Sequence, residues 1–301
     1  MSSGSALKEL PPNAPVAVNQ QRGGLDLRMG GVQSADPVVS PVWSVAGWCM
    51  QFVRLPAGTS LGLDQAAGRV YVKVIQGELA AAPKSPFPGV GEIADTRVTD
   101  DQISAAGEGA LICVFTETDA VRDNVTSMAE LEFQGPDADA LRWKSFEEKF
   151  GAFTDFFDGQ DAHMVFGFHL LDDDGSEIVY VHFWTAGKGV DLSTHNHGND
   201  PSPLAPAFAE VHWVLNNGTG KGGMYRCDSP DATTKERFPM RRGQEHGPYF
   251  DFDPDTREPK LRENGAVSYP WHGWEAGADD KPGQAYDFVA AFEINPRYAR
   301  V

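Results

Sequence analysis

His195-Asn196-His197 is followed, after a spacer of 12 residues, by Glu210-Val211-His212-Trp213. Successive side chains of a strand point to opposite faces, so the two imidazoles of the first run share a face, as do Glu210 and His212 of the second. A carboxylate flanked by apolar residues is costly to bury without a partner. Two imidazoles and one carboxylate that converge inside a β-barrel therefore predict a site for a divalent transition metal.

The composition is that of an acidic, turn-rich β protein. The 301 residues include 43 Asp and Glu against 25 Lys and Arg, which gives a net charge of −18. Hydrophobic residues (41%) suffice for real cores, and 32 Gly with 21 Pro suit short strands joined by turns. The negative charge disfavours nucleic acid and anionic membranes as partners. No apolar run is long enough to predict a transmembrane helix.

The cysteines and the start of the chain bear on location. Cys49, Cys113 and Cys227 are odd in number and far apart, which favours a reducing compartment without a disulfide framework. Residues 1–9 lack the basic-then-apolar pattern of a signal peptide. We therefore expect a cytoplasmic protein that binds a small-molecule substrate, with a homodimer through its N-terminal arm as one option for its assembly.

Composition shifts divide the chain into three segments. Residues 1–40, rich in Pro and Gly, predict an arm; residues 41–135 predict a first β region, and residues 141–301 a second. A capping box at Ser145 and Glu148 predicts a helix that leads the second region. Its apolar stripe, which packs on a sheet or forms a lid over a pocket, consists of Phe146, Phe150, Phe153 and Phe157.

The histidines are confined to the second half of the chain. The first 162 residues contain none, and the eight are His163, His169, His182, His195, His197, His212, His246 and His272. Metal or acid–base chemistry is therefore expected in the second region, and a scaffold role in the first. Beside the predicted metal, His212 is a candidate ligand, acid–base group or core residue, and His246 a candidate proton shuttle or a surface residue of a loop.

Two motifs resemble those of the cupin superfamily. His195-x-His197, Glu210 and Asn217-Gly218 resemble the first cupin motif, and Tyr269-Pro270-Trp271-His272 resembles the second. The resemblance implies an all-β fold of two cupin (double-stranded β-helix, jelly-roll) barrels with few helices. It also implies one metal held by His195, His197, Glu210 and His272. The sequence departs from the family pattern in its long spacer, where three or four residues are usual, and in an incomplete second motif.

The first β region resembles the same unit without its ligands. The run Val70-Tyr71-Val72-Lys73-Val74 is similar to the strand that carries the cupin glutamate, but Lys73 stands where that glutamate would be. Asp64-Gln65 stands roughly where His-x-His would be. Since a lysine there would repel a cation, the resemblance implies a bicupin with a degenerate N-terminal barrel and a metal-binding C-terminal barrel.

The resemblance also implies a class of chemistry. The run His182-Phe183-Trp184, together with the motifs around Glu210 and His272, is similar to the metal-binding cupin of sugar-ketone dehydratases such as the aldos-2-ulose dehydratases. This implies a metal-dependent lyase (dehydratase) or isomerase that acts on a small, sugar-like carbonyl compound. Zinc is the expected ion, with Fe, Mn or Ni as alternatives. The open alternatives are an Fe(II)-dependent cupin dioxygenase and a non-catalytic cupin that binds a small molecule.

Overall fold

A computed structural model describes residues 7, 16–19, 24–29, 35–81, 92–118, 133–141, 161–196, 208–217, 219–247, 253, 260, 263, 269–280 and 285–295. The predicted helix around residues 145–157 and the candidate ligand His197 lie outside these residues. In the described ranges, the regular elements other than strands are two short 3-10 turns, Gln65–Ala67 and Ala138–Leu141. The predicted all-β fold is therefore confirmed.

The strands of the described residues are numbered in chain order. They are β1 (Val16–Asn19), β2 (Gly24–Arg28), β3 (Val38–Val39), β4 (Trp43–Val45), β5 (Trp48–Pro56), β6 (Ser60–Gly62), β7 (Arg69–Leu79), β8 (Ile93–Asp95), β9 (Arg97–Val98), β10 (Gln102–Glu117), β11 (Ala162–Leu171), β12 (Glu177–Gly187), β13 (Asp191–His195), β14 (Ala209–Asn217), β15 (Gly223–Cys227), β16 (Glu236–Pro239), β17 (Gln244–His246), β18 (Trp271–Glu275) and β19 (Tyr286–Ile294).

Three sheets account for all of these strands. The largest has eight strands in the order β1-β2-β11-β12-β19-β14-β17-β8. A second sheet, from the first half of the chain, has the order β3-β5-β10-β7-β9, with β4 and β6 pairing at its margins. The third has the order β13-β18-β15-β16. Pairing is antiparallel apart from β2 with β11, which is parallel. This is the jelly-roll arrangement implied by the sequence motifs.

The eight-stranded sheet has one apolar face and one polar face. On β14, Trp213 points to the apolar face and stacks on Phe115 of the second sheet, with ring centroids 4.0 Å apart. Glu210 and His212 alternate with it and point to the opposite face. That opposite face packs against the third sheet, where Trp274 contacts Trp184 at 5.1 Å. Glu210 and His212 therefore lie on the face of the eight-stranded sheet that is covered by the third sheet.

The two halves of the chain share the eight-stranded sheet. From the first half, β8 pairs with β17, and β2 pairs with β11. The predicted boundaries at residues 40, 135 and 141 stay a prediction, but strands from both sides of them hydrogen-bond within one sheet. Among the residues described here, no helix has the length and apolar character needed to cross a bilayer.

Candidate metal centre

Three of the predicted ligands converge between the eight-stranded sheet and the third sheet. One ligand atom from each of His195, Glu210 and His272 lies within 4.8 Å of the other two. The register of β13 with β18 places His195 directly opposite His272, and their ring centroids are 4.4 Å apart. Glu210 reaches the same point from the start of β14, on the facing sheet. The structure thus brings together two strands of one sheet and one strand of another around a common centre.

The backbone fixes which nitrogen of His272 faces the centre. Its Nδ1 lies 3.0 Å from the carbonyl oxygen of Pro270, and a carbonyl only accepts, so Nδ1–H is the donor. In the neutral imidazole, Nε2 therefore carries a lone pair, and it lies 3.1 Å from Oε2 of Glu210. A lone pair that faces a carboxylate is stabilised by a cation or a proton between them.

The imidazole of His212 also faces Glu210, in an orientation set by its hydrogen bond to His246. His246 donates from Nδ1 to the carbonyl of Gly247 at 2.7 Å, which leaves its Nε2 as an acceptor. That Nε2 receives the backbone N–H of His212 at 3.0 Å and lies 2.7 Å from the His212 side-chain Nδ1. His212 must then donate from Nδ1, so its Nε2 lone pair faces Oε1 of Glu210 at 3.5 Å.

Burial keeps these imidazoles neutral. Burial lowers the pKa of His212 well below its ordinary value, although the carboxylate of Glu210 acts in the opposite direction. Burial also lowers the pKa of His246 to about 4, against weaker raising effects from the Gly247 carbonyl and Glu210. Near neutral pH both rings are uncharged, so the tautomers set by their hydrogen bonds apply.

The donor atoms present fit a divalent transition metal. Both oxygens of Glu210 and the Nε2 atoms of His212 and His272 are electron-pair donors directed toward each other, and His195 adds a further imidazole. A cation held by His195, Glu210 and His272 would satisfy these three ligands at once and leave Nε2 of His212 beside it. Nitrogen with carboxylate oxygen is the ligand set typical of Zn, Fe, Mn and Ni. His197 lies outside the described residues, so its predicted role as a ligand stays a prediction.

Tyr269 holds the elements that carry the ligands. Its hydroxyl accepts the backbone N–H of Glu210 at 2.7 Å, and its carbonyl accepts the side-chain amide of Asn196. The start of β14, the end of β13 and the approach to β18 are therefore tied together through one buried tyrosine. The sequence indicates Tyr269 only as part of the run that resembles the second motif, because a hydrogen bond between distant segments leaves no local pattern.

His246 lies deeper than its sequence context suggests. The run Arg241-Arg242-Gly243-Gln244-Glu245-His246 is polar and predicts a surface loop. The structure instead places residues 244–246 in a short strand between β14 and β8, with His246 fully buried. His246 is buried rather than exposed because β17 pairs with β8, a distant segment that no local sequence pattern indicates.

Lys73 forms a buried ion pair. It is fully buried, and its Nζ lies 2.9 Å from Oε2 of Glu245, on the side of β17 opposite His246. The cation thus neutralises an internal carboxylate, and the strand that would carry a metal-binding glutamate carries an ion pair instead.

A jelly roll with an imidazole–carboxylate cluster of this kind inside one barrel defines a cupin. The family model of the aldos-2-ulose dehydratase/isomerase (AUDH) cupin domain matches residues 25–295, and the chain belongs to this family. The chain is also similar to an aldos-2-ulose dehydratase of Phanerodontia chrysosporium, with 33% identity over 218 residues. That alignment covers 65% of this chain and 23% of the relative, so this chain corresponds to less than a quarter of the relative's length.

Solved structures with similar folds are distant. An IolB-like protein from Salmonella typhimurium is 12% identical with a TM-score of 0.33, and the match covers 97% of this chain and 92% of that one. A cupin 2 conserved barrel domain protein from Leptotrichia buccalis is 11% identical with a TM-score of 0.27, covering 87% and 90%. The fold assignment therefore depends on the strands and on the family match.

Proposed function

We propose that this chain is a metal-dependent cupin enzyme, a lyase (dehydratase) or isomerase that acts on a small, sugar-like carbonyl compound. The single observation that carries the proposal is the convergence of His195, His272 and His212 on the carboxylate of Glu210. The family match and the dehydratase relative supply the reaction class. Zinc is the proposed ion, because redox-inert chemistry suffices for dehydration and isomerisation.

The residues that would hold the metal are His195, Glu210 and His272, with His197 as the fourth ligand of the family motif. A bound divalent ion would supply Lewis-acid polarisation of the substrate carbonyl, which acidifies the neighbouring C–H bond. The barrel itself contributes a water-poor interior, since Glu210 and His272 are both buried. In such surroundings, the electrostatic effect of each fixed group on the substrate is stronger than in water.

His212 and His246 form the proposed acid–base pair. Because the His212 Nδ1–H is bonded to His246, the atom of His212 that is able to take a proton is Nε2, which faces the cluster. In a dehydration, that nitrogen would take the proton from the carbon next to the carbonyl; a C=C bond forms, and the β-hydroxyl leaves with a proton as water. In an isomerisation, the same proton returns to a neighbouring atom.

Elemental analysis with a turnover assay tests the proposal. We expect one zinc per chain and conversion of an aldos-2-ulose such as D-arabino-hexos-2-ulose. We expect Glu210→Gln and His272→Ala to lose both the metal and the activity. Glu236→Gln, which removes an exposed carboxylate paired with Arg226 on the third sheet, is the matched control and should keep both.

Two results would contradict the proposal. Full metal content in Glu210→Gln would show that the ion binds elsewhere. Dioxygen consumption by the metal-loaded chain, or binding of the hexosulose without any product, would favour the oxygenase or the binding-protein alternative.

A further inference from the structure

A row of polar side chains runs along one face of the eight-stranded sheet and ends at the candidate metal centre. Strand register places Glu210 opposite Glu293, Glu293 opposite Tyr180, Tyr180 opposite His169, and His169 opposite Asp26. Directly opposite residues of paired strands share a face, so all five point to the face that carries the cluster. The other face of the same strands is apolar and belongs to the main core.

Two carboxylates stand side by side in this row. Residues directly opposite on antiparallel strands have Cβ atoms about 4.5–5.5 Å apart, and like charges at such positions destabilise a sheet. The Glu210–Glu293 pair is therefore unfavourable unless each carboxylate has its own partner. The proposed metal would serve Glu210, whereas Glu293 lies 3.3 Å from Nε2 of His182.

The aromatic and imidazole rings on this face of the sheet are stacked. The rings of His169 and Tyr180 have centroids 4.4 Å apart, and those of Tyr180 and His182 have centroids 5.0 Å apart. A carboxylate lies at each end of the stack: Glu177, whose Oε2 is 2.5 Å from Nδ1 of His169, and Glu293 beside His182. The two histidine side chains are nearly buried, but Glu293 retains 26% exposure. This row of side chains thus extends from solvent, at Glu293, to the candidate metal centre.

His182 has an atom that is ready to accept a hydrogen bond. A carboxylate only accepts, so His182 donates to Glu293 from Nε2, and the neutral ring carries its lone pair on Nδ1. Within the described part of the chain, this Nδ1 is buried without a hydrogen-bond partner. Strand register places Ala291, whose side chain is only a methyl group, between His182 and His212. A buried acceptor of this kind is costly unless a donor reaches it.

We propose that Glu293 and His182 bind hydroxyl groups of a polyhydroxylated substrate whose carbonyl lies at the cluster of His195, Glu210 and His272. This inference rests on the proposed function and adds the residues that select the substrate. Hydroxyl groups are the matching donors, because Glu293 and Nδ1 of His182 both accept hydrogen bonds. The pair would thus separate sugar-like carbonyl compounds from carbonyl compounds without hydroxyl groups.

Calorimetric titration of the zinc-loaded chain with two probes tests this inference. D-arabino-hexos-2-ulose carries hydroxyl groups, and butane-2,3-dione carries the dicarbonyl alone. We expect Glu293→Gln to raise the Kd for the hexosulose about tenfold or more, the loss typical of a charge-assisted hydrogen bond, and to leave the weak affinity for the dione unchanged. Zinc content should stay at the wild-type value.

His182→Gln gives a second, matched variant. Glutamine keeps a donor near the position of Nε2, so that the contact with Glu293 survives, but it removes Nδ1. We expect a selective loss of hexosulose affinity with an unchanged melting temperature. Glu236→Gln, an exposed carboxylate on the third sheet, should bind both probes as the wild type does.

The outcomes separate this inference from the proposed function. Unchanged hexosulose affinity in both variants would overturn the inference, even if the wild type converts the sugar. Saturable binding that depends on Glu293, without conversion, would overturn the proposed function and leave the inference standing. A wild-type chain that does not bind the hexosulose would overturn both.

Discussion

Replacing Lys73 by methionine tests how the two halves of the chain are joined. The side chains of Lys73 and Glu245 are 0% and 1% exposed, and Nζ lies 2.9 Å from Oε2. The substitution would leave a carboxylate inside the protein without its cation. Removing one partner of a buried ion pair costs about 3–5 kcal/mol, which corresponds to a fall in Tm of roughly 6 °C or more for a domain of this size.

The destabilisation should depend on pH in a defined direction. Burial already raises the pKa of Glu245 in the intact pair, and loss of the lysine raises it further. A carboxyl whose pKa is higher in the folded than in the unfolded state stabilises the fold at low pH and loses that contribution as the pH rises through the folded value. The deficit of Lys73→Met in urea denaturation should therefore be large near neutral pH and shrink as the pH falls.

The double variant Lys73→Met/Glu245→Leu is the control. Apolar residues of similar volume often replace a buried ion pair at little cost, so we expect most of the lost stability to return. If Lys73→Met unfolds at the wild-type urea midpoint, or if its deficit does not change with pH, the carboxylate is not buried and charged as the structure has it.

Three further predictions concern the barrel and its shared sheet. Because burial lowers the pKa of His246 from 6.5 to about 4, stability should be complete above about pH 6.5 and fall by about 1.4 kcal/mol per unit as the pH drops toward 4, which urea midpoints across this range would measure. Gly167→Ala should destabilise the fold by about 1–3 kcal/mol by the same assay, since a Cβ there would lie 1.9 Å from the Val181 carbonyl oxygen. Thr96→Val should cost about 1–3 kcal/mol in thermal denaturation, because it leaves the buried indole N–H of Trp213 without its acceptor at 2.7 Å.

Long strands with alternating residues were predictable from the sequence. The runs Glu177–Gly187 and Tyr286–Ile294 are rich in β-branched and aromatic residues and lie between turn residues, so the sequence favours strands there. Their signals, alternation and flanking turn residues, are local. By contrast, Gly107 and Gly109, both with positive φ, interrupt the pattern of β10, so the sequence favours a strand only from Ala110 onward.

The chemistry of the candidate site was also predictable, but its surroundings were not. His195, Glu210 and His272 are of the residue types that ligate metals and occur in recognisable spacing, and the structure brings them together. The contacts of His246 and Glu293 depend on strand register between segments far apart in sequence. A strand of three residues such as β17 is too short to show alternation of polar and apolar residues. The sequence around Glu293 does not indicate which residues lie opposite it on the neighbouring strands.

The sharing of one sheet between the two halves limits how the chain can be truncated. A fragment that begins at residue 141 would lack β2 and β8, and the backbone amides and carbonyls of β11 and β17 that pair with them would become open edges. Exposed edges of this kind recruit other chains, so such a fragment would be prone to aggregation. The half without histidines thus covers strands of the half that carries them, and a shortened chain needs both.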